Sequence, residues 1–350
     1  MGHGHSEAIF MTATTRKPIV SVGYELPRAG MTGPARALLA VARAAEAAGV
    51  DYLVLPDRPA ADPGGASAPA AAITAALLAS GTEHLGVVVS TAIAYWEPYN
   101  LARVLASLDH ISAGRAGWQV VTALDAAADA NHRRAGFDPA ANREARAIEY
   151  VPLVRDLWDS WEDGAFVHDK DSGCLVDVDR IHVLGHAGPA LQVRGPLNVA
   201  RPPQGHPVVF AAATDPLVAS AADVLTTGRP GATDRPHRVL AVEPFVAADT
   251  RRAHELHGAA GTPEGDADRA VVVGAPAAVA DRLLGWADSV DGFLVRFATL
   301  DQLAAFTDLV LPRLRAAGSP EPAGPRSLRA RLGLARPANR LVATAAAERS

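Results

Sequence analysis

Several polar residues stand where chemistry could be done. Asp57 closes a short apolar run, Ser90 and Thr91 close the next, and Gln119 and Thr122 close the one after. If those runs are parallel strands, polar groups at their C-terminal ends converge on one mouth, where an acid, hydroxyls and an amide can seat a ligand. The same residue types also cap loops, so position alone leaves both roles open. Arg143 and Glu144 open a helical stretch, and Thr214 and Asp215 follow another apolar run. His182 and His186 are four apart in a Gly-punctuated stretch. They could share one face of a hairpin, but the spacing supplies no third metal ligand. No Ser-His-Asp or metal-ligand spacing occurs, so no residue is assigned as a catalytic nucleophile or a metal ligand.

Composition narrows the classes. The formal net charge of -5 gives no reason to expect a nucleic-acid partner. Cys174 is the only cysteine, which rules out an intrachain disulfide and a Cys-based metal site. No apolar stretch is long enough for a membrane span, and residues 1–17 lack a signal-peptide pattern. The expectation is a cytoplasmic protein with a frayed N-terminus, in which His3 and His5 bind nothing.

The elements that must position these residues alternate. Short apolar runs at 18–23, 52–57, 84–91, 115–122, 207–213, 223–227, 239–246 and 292–297 read as strands. Helical patterns at 33–49, 67–81, 98–112, 142–160, 216–222, 276–288 and 301–317 separate most of them. Alternation of this kind makes a parallel sheet with crossover helices, and eight strands close a (β/α)8 TIM-type barrel. The segment 166–203 breaks the pattern with Asp-Lys-Asp-Ser-Gly and further glycines, and reads as an inserted β-hairpin region. Between 227 and 239 two glycines and two prolines leave room for a loop, so the sixth helix is expected to be reduced. Beyond residue 318 comes a tail with Arg326, Arg329, Arg331, Arg336 and Arg340. It is expected to be a solvated basic helix with a docked face of Leu328, Leu332 and Leu334. The expected domains are therefore a flexible terminus at 1–17, the barrel at 18–318 and the tail at 319–350.

Several blocks in fixed order carry a resemblance. They are Trp96-Glu97-Pro98-Tyr99-Asn100-Leu101-Ala102-Arg103, Ala106-Ser107-Leu108-Asp109-His110-Ile111-Ser112 and Gly114-Arg115-Ala116-Gly117-Trp118-Gln119-Val120-Val121-Thr122. Further on stand Leu157-Trp158-Asp159-Ser160-Trp161-Glu162-Asp163, Gly195-Pro196-Leu197-Asn198, Arg201-Pro202-Pro203-Gln204-Gly205, Val273-Gly274-Ala275-Pro276 and Asp291-Gly292-Phe293. Together, over about residues 50–337, the chain resembles the nitrilotriacetate / dibenzothiophene-sulfone monooxygenase branch of the luciferase-like flavin-dependent enzymes.

The resemblance implies a (β/α)8 barrel that uses reduced FMN (FMNH2), delivered by a separate flavin reductase, to activate O2 and oxygenate a small organic molecule. The protein then seats the ring, excludes water and orients the substrate. The cofactor-binding positions it implies are Asp57, Ser90, Gln119, Thr122, Ala213 and Thr214. A homo-oligomer is also compatible with it. Departures mark the phosphate end: Ala123 replaces a serine, Glu144 replaces a tyrosine, a glycine is lost from 210–215, and Asp215 adds a carboxylate. Two carboxylates beside a phosphate dianion would each cost on the order of a few kcal/mol per unit charge at about 4–5 Å and an effective dielectric of about 20. A weakened FMN site is the expectation, and so is a shortened lid between 249 and 273. The alternative implied is a catalytically degenerate relative that acts as a binding or subunit partner.

Overall fold

The computed structural model describes residues 21–27, 31, 33–61, 68–133, 136, 138, 140–231, 237–261, 268–317 and 327–342. The chain runs β1 (Ser21–Glu25), α1 (Ala35–Ala47), β2 (Tyr52–Pro56), α2 (Ala71–Ser80), β3 (Gly86–Ala92), α3 (Pro98–Ile111), β4 (Ala116–Val121), α4 (Ala126–His132) and α5 (Arg143–Asp159). The hairpin β5 (His186–Ala187) and β6 (Gln192–Val193) precedes β7 (Val208–Ala212), β8 (Val224–Thr227), β9 (Arg238–Val246) and α6 (Thr250–Ala260). Then come β10 (Ala270–Gly274), α7 (Pro276–Trp286), β11 (Gly292–Arg296), α8 (Leu300–Leu309), α9 (Leu311–Ala316) and α10 (Leu328–Arg331).

Eight parallel strands close on themselves in the order β1, β2, β3, β4, β7, β8, β9, β11 and back to β1. The eight apolar runs of the sequence are these eight strands. Their alternation explains why both faces are buried. Tyr52, Val54, Val88, Val208, Phe210, Val224, Val239 and Leu294 fill the inside of the barrel. Leu53, Leu55, Val87, Val89, Val209 and Val295 belong to the shell packed against the helices. Gly23 faces inward where an added Cβ would lie 2.2 Å from the Tyr52 ring, so the glycine makes room for that tyrosine.

Several features lie outside the sequence expectations, among them α4 and a single 3-10 turn at Ala219–Ala221 where a helix over 216–222 was expected. The nine-residue β9 pairs with β8 and β11 through its first half and with β10 through its second, so a ninth strand extends the wall. The stretch expected to be a shortened lid holds α6 and β10. The run 301–317 divides at Val310 into α8 and α9, with Pro312 in the first turn of α9, because proline cannot donate inside a continuing helix. Residues 228–231 are not helical, and the rest of the loop expected there lies outside the described residues, as do 1–17 and Arg326. The inserted hairpin is present as the antiparallel pair β5–β6.

The tail is docked through its leucines, with Ala330, Arg336 and Arg340 left exposed. Leu328 and Leu332 are fully buried in the cluster that fills the barrel. The Leu328 N–H donates to the Gly114 carbonyl at 2.9 Å, which seats α10 across the N-terminal ends of β3 and β4. Its arginines pair with acids far away in sequence: Arg329 with Asp223 at 2.8 Å, Arg331 with Asp51 at 3.1 Å, Arg336 with Asp163 at 2.7 Å and Arg340 with Asp156 at 2.6 Å. A row of arginines looks solvent-facing until the partners are located in space. No helix among the described residues is long and apolar enough to cross a membrane.

Candidate active-site cavity at the barrel mouth

The C-terminal ends of the strands open into a cavity of about 540 Å³. Its floor comes from inward-facing strand ends: Gln119 and Val121 of β4, Ala212 of β7, Thr226 of β8 and Arg296 of β11. Its rim comes from the loops that follow: Thr122, Ala123, Arg143, Glu144, Thr214, Asp215 and Asp268.

The sequence candidates divide among these positions. Gln119, Thr122 and Thr214 line the cavity, whereas Asp57, Ser90 and Ala213 are not among its lining residues. The Asp57 N–H donates to the Ser90 carbonyl at 3.0 Å, and its Oδ1 accepts from the Ala71 N–H at 3.2 Å, which caps α2. Ser90 is opposite Gln119 in the β3–β4 register. The Ala213 N–H donates to the Thr226 carbonyl at 2.7 Å, which ties the loop after β7 to β8. Thr91 turns the other way and accepts from the Trp118 indole at 2.8 Å, under the helices. Asp57, Ser90 and Thr122 thus sit around one mouth, as the barrel reading expects.

A hydrogen-bonded clasp shapes the rim. Arg143 Nε donates to the Thr122 carbonyl at 2.9 Å, and Arg143 Nη2 reaches Thr122 Oγ1 at 3.4 Å. The Thr122 hydroxyl donates in turn to Asp215, whose other oxygen accepts the Leu217 N–H at 3.1 Å. Thr214 Oγ1 donates to Asp268 Oδ1 at 3.1 Å. The hydroxyls of Thr122 and Thr214 therefore already serve carboxylates. Asn142 precedes α5 in the left-handed conformation and provides no side-chain cap, so the first amides of α5 face the rim uncapped.

Charged groups crowd the rim and floor. Arg296 Nε is held by Glu25 at 3.0 Å, which neutralises it. Arg143, Glu144 and Asp215 stand on the rim, together with Asp268, which takes the Thr214 hydroxyl. Glu144 is exposed, so water screens its repulsion toward about 1 kcal/mol per unit charge at 4 Å, below the cost expected from the sequence. Sequence reading missed the Glu25–Arg296 pair because it ended the first strand at Gly23. Carrying the inward-facing alternation two residues further places Glu25 on the floor. Thr226 had the same signal, being inward on β8. Asp268 precedes the unrecognised β10 and had none.

The two histidines singled out by spacing do not meet. His182 Nε2 pairs with Glu162 at 2.8 Å and His186 with Glu149, so each makes its own contact. No group of three or more His, Cys, Asp or Glu among the described residues could hold a metal ion.

The family model for luciferase-like monooxygenases matches residues 17–237 of this chain. One of the proteins of the pristinamycin IIA synthase of Streptomyces pristinaespiralis is 39% identical over 90% of this chain and 95% of its own length. The nitrilotriacetate monooxygenase component of Aminobacter aminovorans is 47% identical, but the match covers 44% of this chain and only 35% of that protein. The crystal structure of the long-chain alkane monooxygenase LadA shares the fold with a TM-score of 0.76 at 19% identity, covering 94% of this chain and 99% of that one. A closed parallel barrel, a cavity at its C-terminal mouth, a family-model match over most of the chain and a relative matched nearly end to end make this chain a member of the luciferase-like monooxygenase family.

Proposed function

We propose that the chain takes part in a reduced-flavin monooxygenase reaction with O2 on a small organic molecule. The observation that carries this reading is the placement of Gln119, Thr122, Thr214 and the uncapped start of α5 around one 540 Å³ cavity. In the luciferase-like resemblance Gln119, Thr122 and Thr214 are among the positions that hold FMN. The residues fit the two ends of that cofactor unequally. The floor offers an amide, a small alanine and a hydroxyl to a flat ring. The rim offers a phosphate the Arg143 guanidinium and a helix N-terminus, with the carboxylates of Glu144 and Asp215 beside them. Reduced flavin, where bound, supplies the electrons that activate O2. The chain's part is to seat the ring and to keep water from the reacting atoms. A separate reductase delivers that flavin.

The rim gives this reading its test. Titration with FMN should show weak binding, and replacing both carboxylates (Glu144→Tyr with Asp215→Ser) should tighten it about tenfold or more at low salt. The gain should shrink near 0.15 M salt, where charges beyond about 8 Å are screened. An unchanged affinity at low salt would place the carboxylates away from the phosphate.

A second reading has its own support. The relative matched end to end is named as one of the subunits of a synthase, and the other named subunit of that synthase is also a relative, 33% identical over 41% of this chain. Under this reading the chain is a degenerate partner that completes a second family chain. It then binds no FMN in either form, and turnover appears only when that second chain is added.

A further inference from the structure

A second cavity, of about 220 Å³, opens at the other end of the barrel from the mouth. Its walls are residues 46–50 and His84, which lead into β2 and β3, with Arg315 of α9 and Arg331 of α10. We infer that this basal cavity binds a small free α-amino acid, whose ammonium and carboxylate meet Glu46 and Arg331, two opposite charges that line it without pairing with each other.

Glu46 stands in the last turn of α1, where a carboxylate adds to the negative end of the helix dipole. Its Oε1 accepts the N–H groups of Glu83 at 2.9 Å, His84 at 2.6 Å and Leu85 at 2.8 Å, which fixes the side chain against the cavity. No hydrogen bond engages Oε2 among the described residues. This wall attracts a cation. Arg331 makes the opposite wall chemically. Its side chain is 4% exposed, Nη1 donates to the His84 carbonyl and Nη2 to Asp51 Oδ1 at 3.1 Å, and Nε has no partner. Asp51 does not cancel the charge here, because it is shared. Arg315 lies 3.8 Å from its Oδ2, which already accepts the Val22 N–H at 2.7 Å. One carboxylate faces two guanidiniums, so this wall attracts an anion. His84 Nδ1 is also buried without a partner, and a ring nitrogen donates or accepts according to its tautomer. Buried polar atoms without partners carry a desolvation cost that a ligand's polar groups would remove.

The charges select the ligand. A simple anion would gain Arg331 and meet Glu46, and a simple cation would do the reverse. A molecule with both charges close together satisfies both walls, and that is a free α-amino acid. The cavity has the space of about seven water molecules at the liquid's ~30 Å³ each, which suits a small side chain and not an aromatic one.

The test uses the full chain and three matched probes, read by ligand-observed NMR. L-alanine carries both charges, propionate lacks the ammonium and ethylamine lacks the carboxylate. L-alanine should bind saturably, and each fragment should bind about tenfold or more weakly. Glu46→Gln keeps an oxygen for the three backbone amides and removes the charge. It should weaken L-alanine about tenfold and leave propionate no weaker. Arg331→Lys keeps a cation beside Asp51 and deletes the Nε–H, so it should weaken L-alanine and propionate alike. The mouth variant Glu144→Tyr with Asp215→Ser should bind L-alanine as wild type does, which assigns the binding to the base. A fragment that binds as tightly as L-alanine, full L-alanine binding by Glu46→Gln, or its loss in the mouth variant would overturn the proposal. So would the absence of saturable L-alanine binding, which would mean that the cavity holds water only. The comparison of the three probes on wild type stands even where a variant fails to fold, and FMN titration succeeds or fails independently of it.

Discussion

Asp109 is a carboxylic acid whose surroundings hold it well away from its ordinary chemistry. It is fully buried near the N-terminal end of the barrel. Its Oδ1 accepts from Gln204 Nε2 at 2.6 Å and from the Ala116 N–H at 3.2 Å, and its Oδ2 accepts the Gln204 N–H at 3.1 Å. Burial outweighs these donors and raises its pKa from 3.8 to about 6, with His110 opposing the rise. A carboxyl with a raised folded pKa favours the folded state below its unfolded value and loses that contribution as pH climbs through the folded one. The rise is worth on the order of 3 kcal/mol. Chemical denaturation should therefore show wild type gaining stability, from this group, between pH 7 and about pH 4. Asp109→Asn should lack that gain and should be less stable at pH 7 by about 1–3 kcal/mol, because its Nδ2 would meet the Gln204 N–H donor to donor. A parallel pH profile in the variant would assign the titration elsewhere. The sequence showed Asp109 only as part of a motif. That its partner would be Gln204, 95 positions later, depends on a juxtaposition that local patterning does not carry.

At the scale of elements, legibility followed the strength of the local signal. The eight barrel strands were legible because each is a compact apolar run bounded by Gly, Pro or polar residues. Helix α6 was not, because Thr250–Ala260 is mostly charged or small and buries only Ala253. Without a recognised α6, β10 had no crossover to belong to. Helix α4 is seven residues, and its Asp125 cap reads equally well as a loop. The tail was half legible: the leucines were placed on a docked face, but the arginine partners were invisible. That docking is open to test. Leu328→Ala should cost about 2–5 kcal/mol by denaturant unfolding, since a fully buried leucine leaves a cavity. Arg329→Met should cost about 1.5–3 kcal/mol, because Asp223 would lose a charged donor while keeping Arg155 and the Val209 N–H. Losses under about 1 kcal/mol in both variants would mean that the tail rests on the barrel without sealing it.

At the scale of the molecule, the two ends of the barrel do different work. One end is closed by α10 and the arginine–acid pairs, and the other carries the cavity. Strands of four to nine residues separate them by roughly 13–30 Å. The acids that hold the tail (Asp51, Asp156, Asp163 and Asp223) are not those of the rim clasp formed by Arg143, Thr122 and Asp215. The rim variant Glu144→Tyr with Asp215→Ser should therefore combine with Leu328→Ala additively in stability, within about 0.5 kcal/mol. Ligand affinity at the mouth should match wild type in Leu328→Ala wherever both are folded. A coupling above about 1 kcal/mol would reveal a rigid connection through the barrel interior.

The seating of α10 also has a meaning in time. The first described strand, β1, finds a neighbour in β11, and the interior they enclose is covered at its base by Leu328 and Leu332. A ribosome must therefore deliver residues 292–296 before the cylinder can close, and residues 328–332 before its base is shut. Until then Tyr52, Val88, Phe210 and Leu294 face an opening. Nascent chains halted between those two points would have a closed wall and an open base, a form that a chaperone or a protease could still engage.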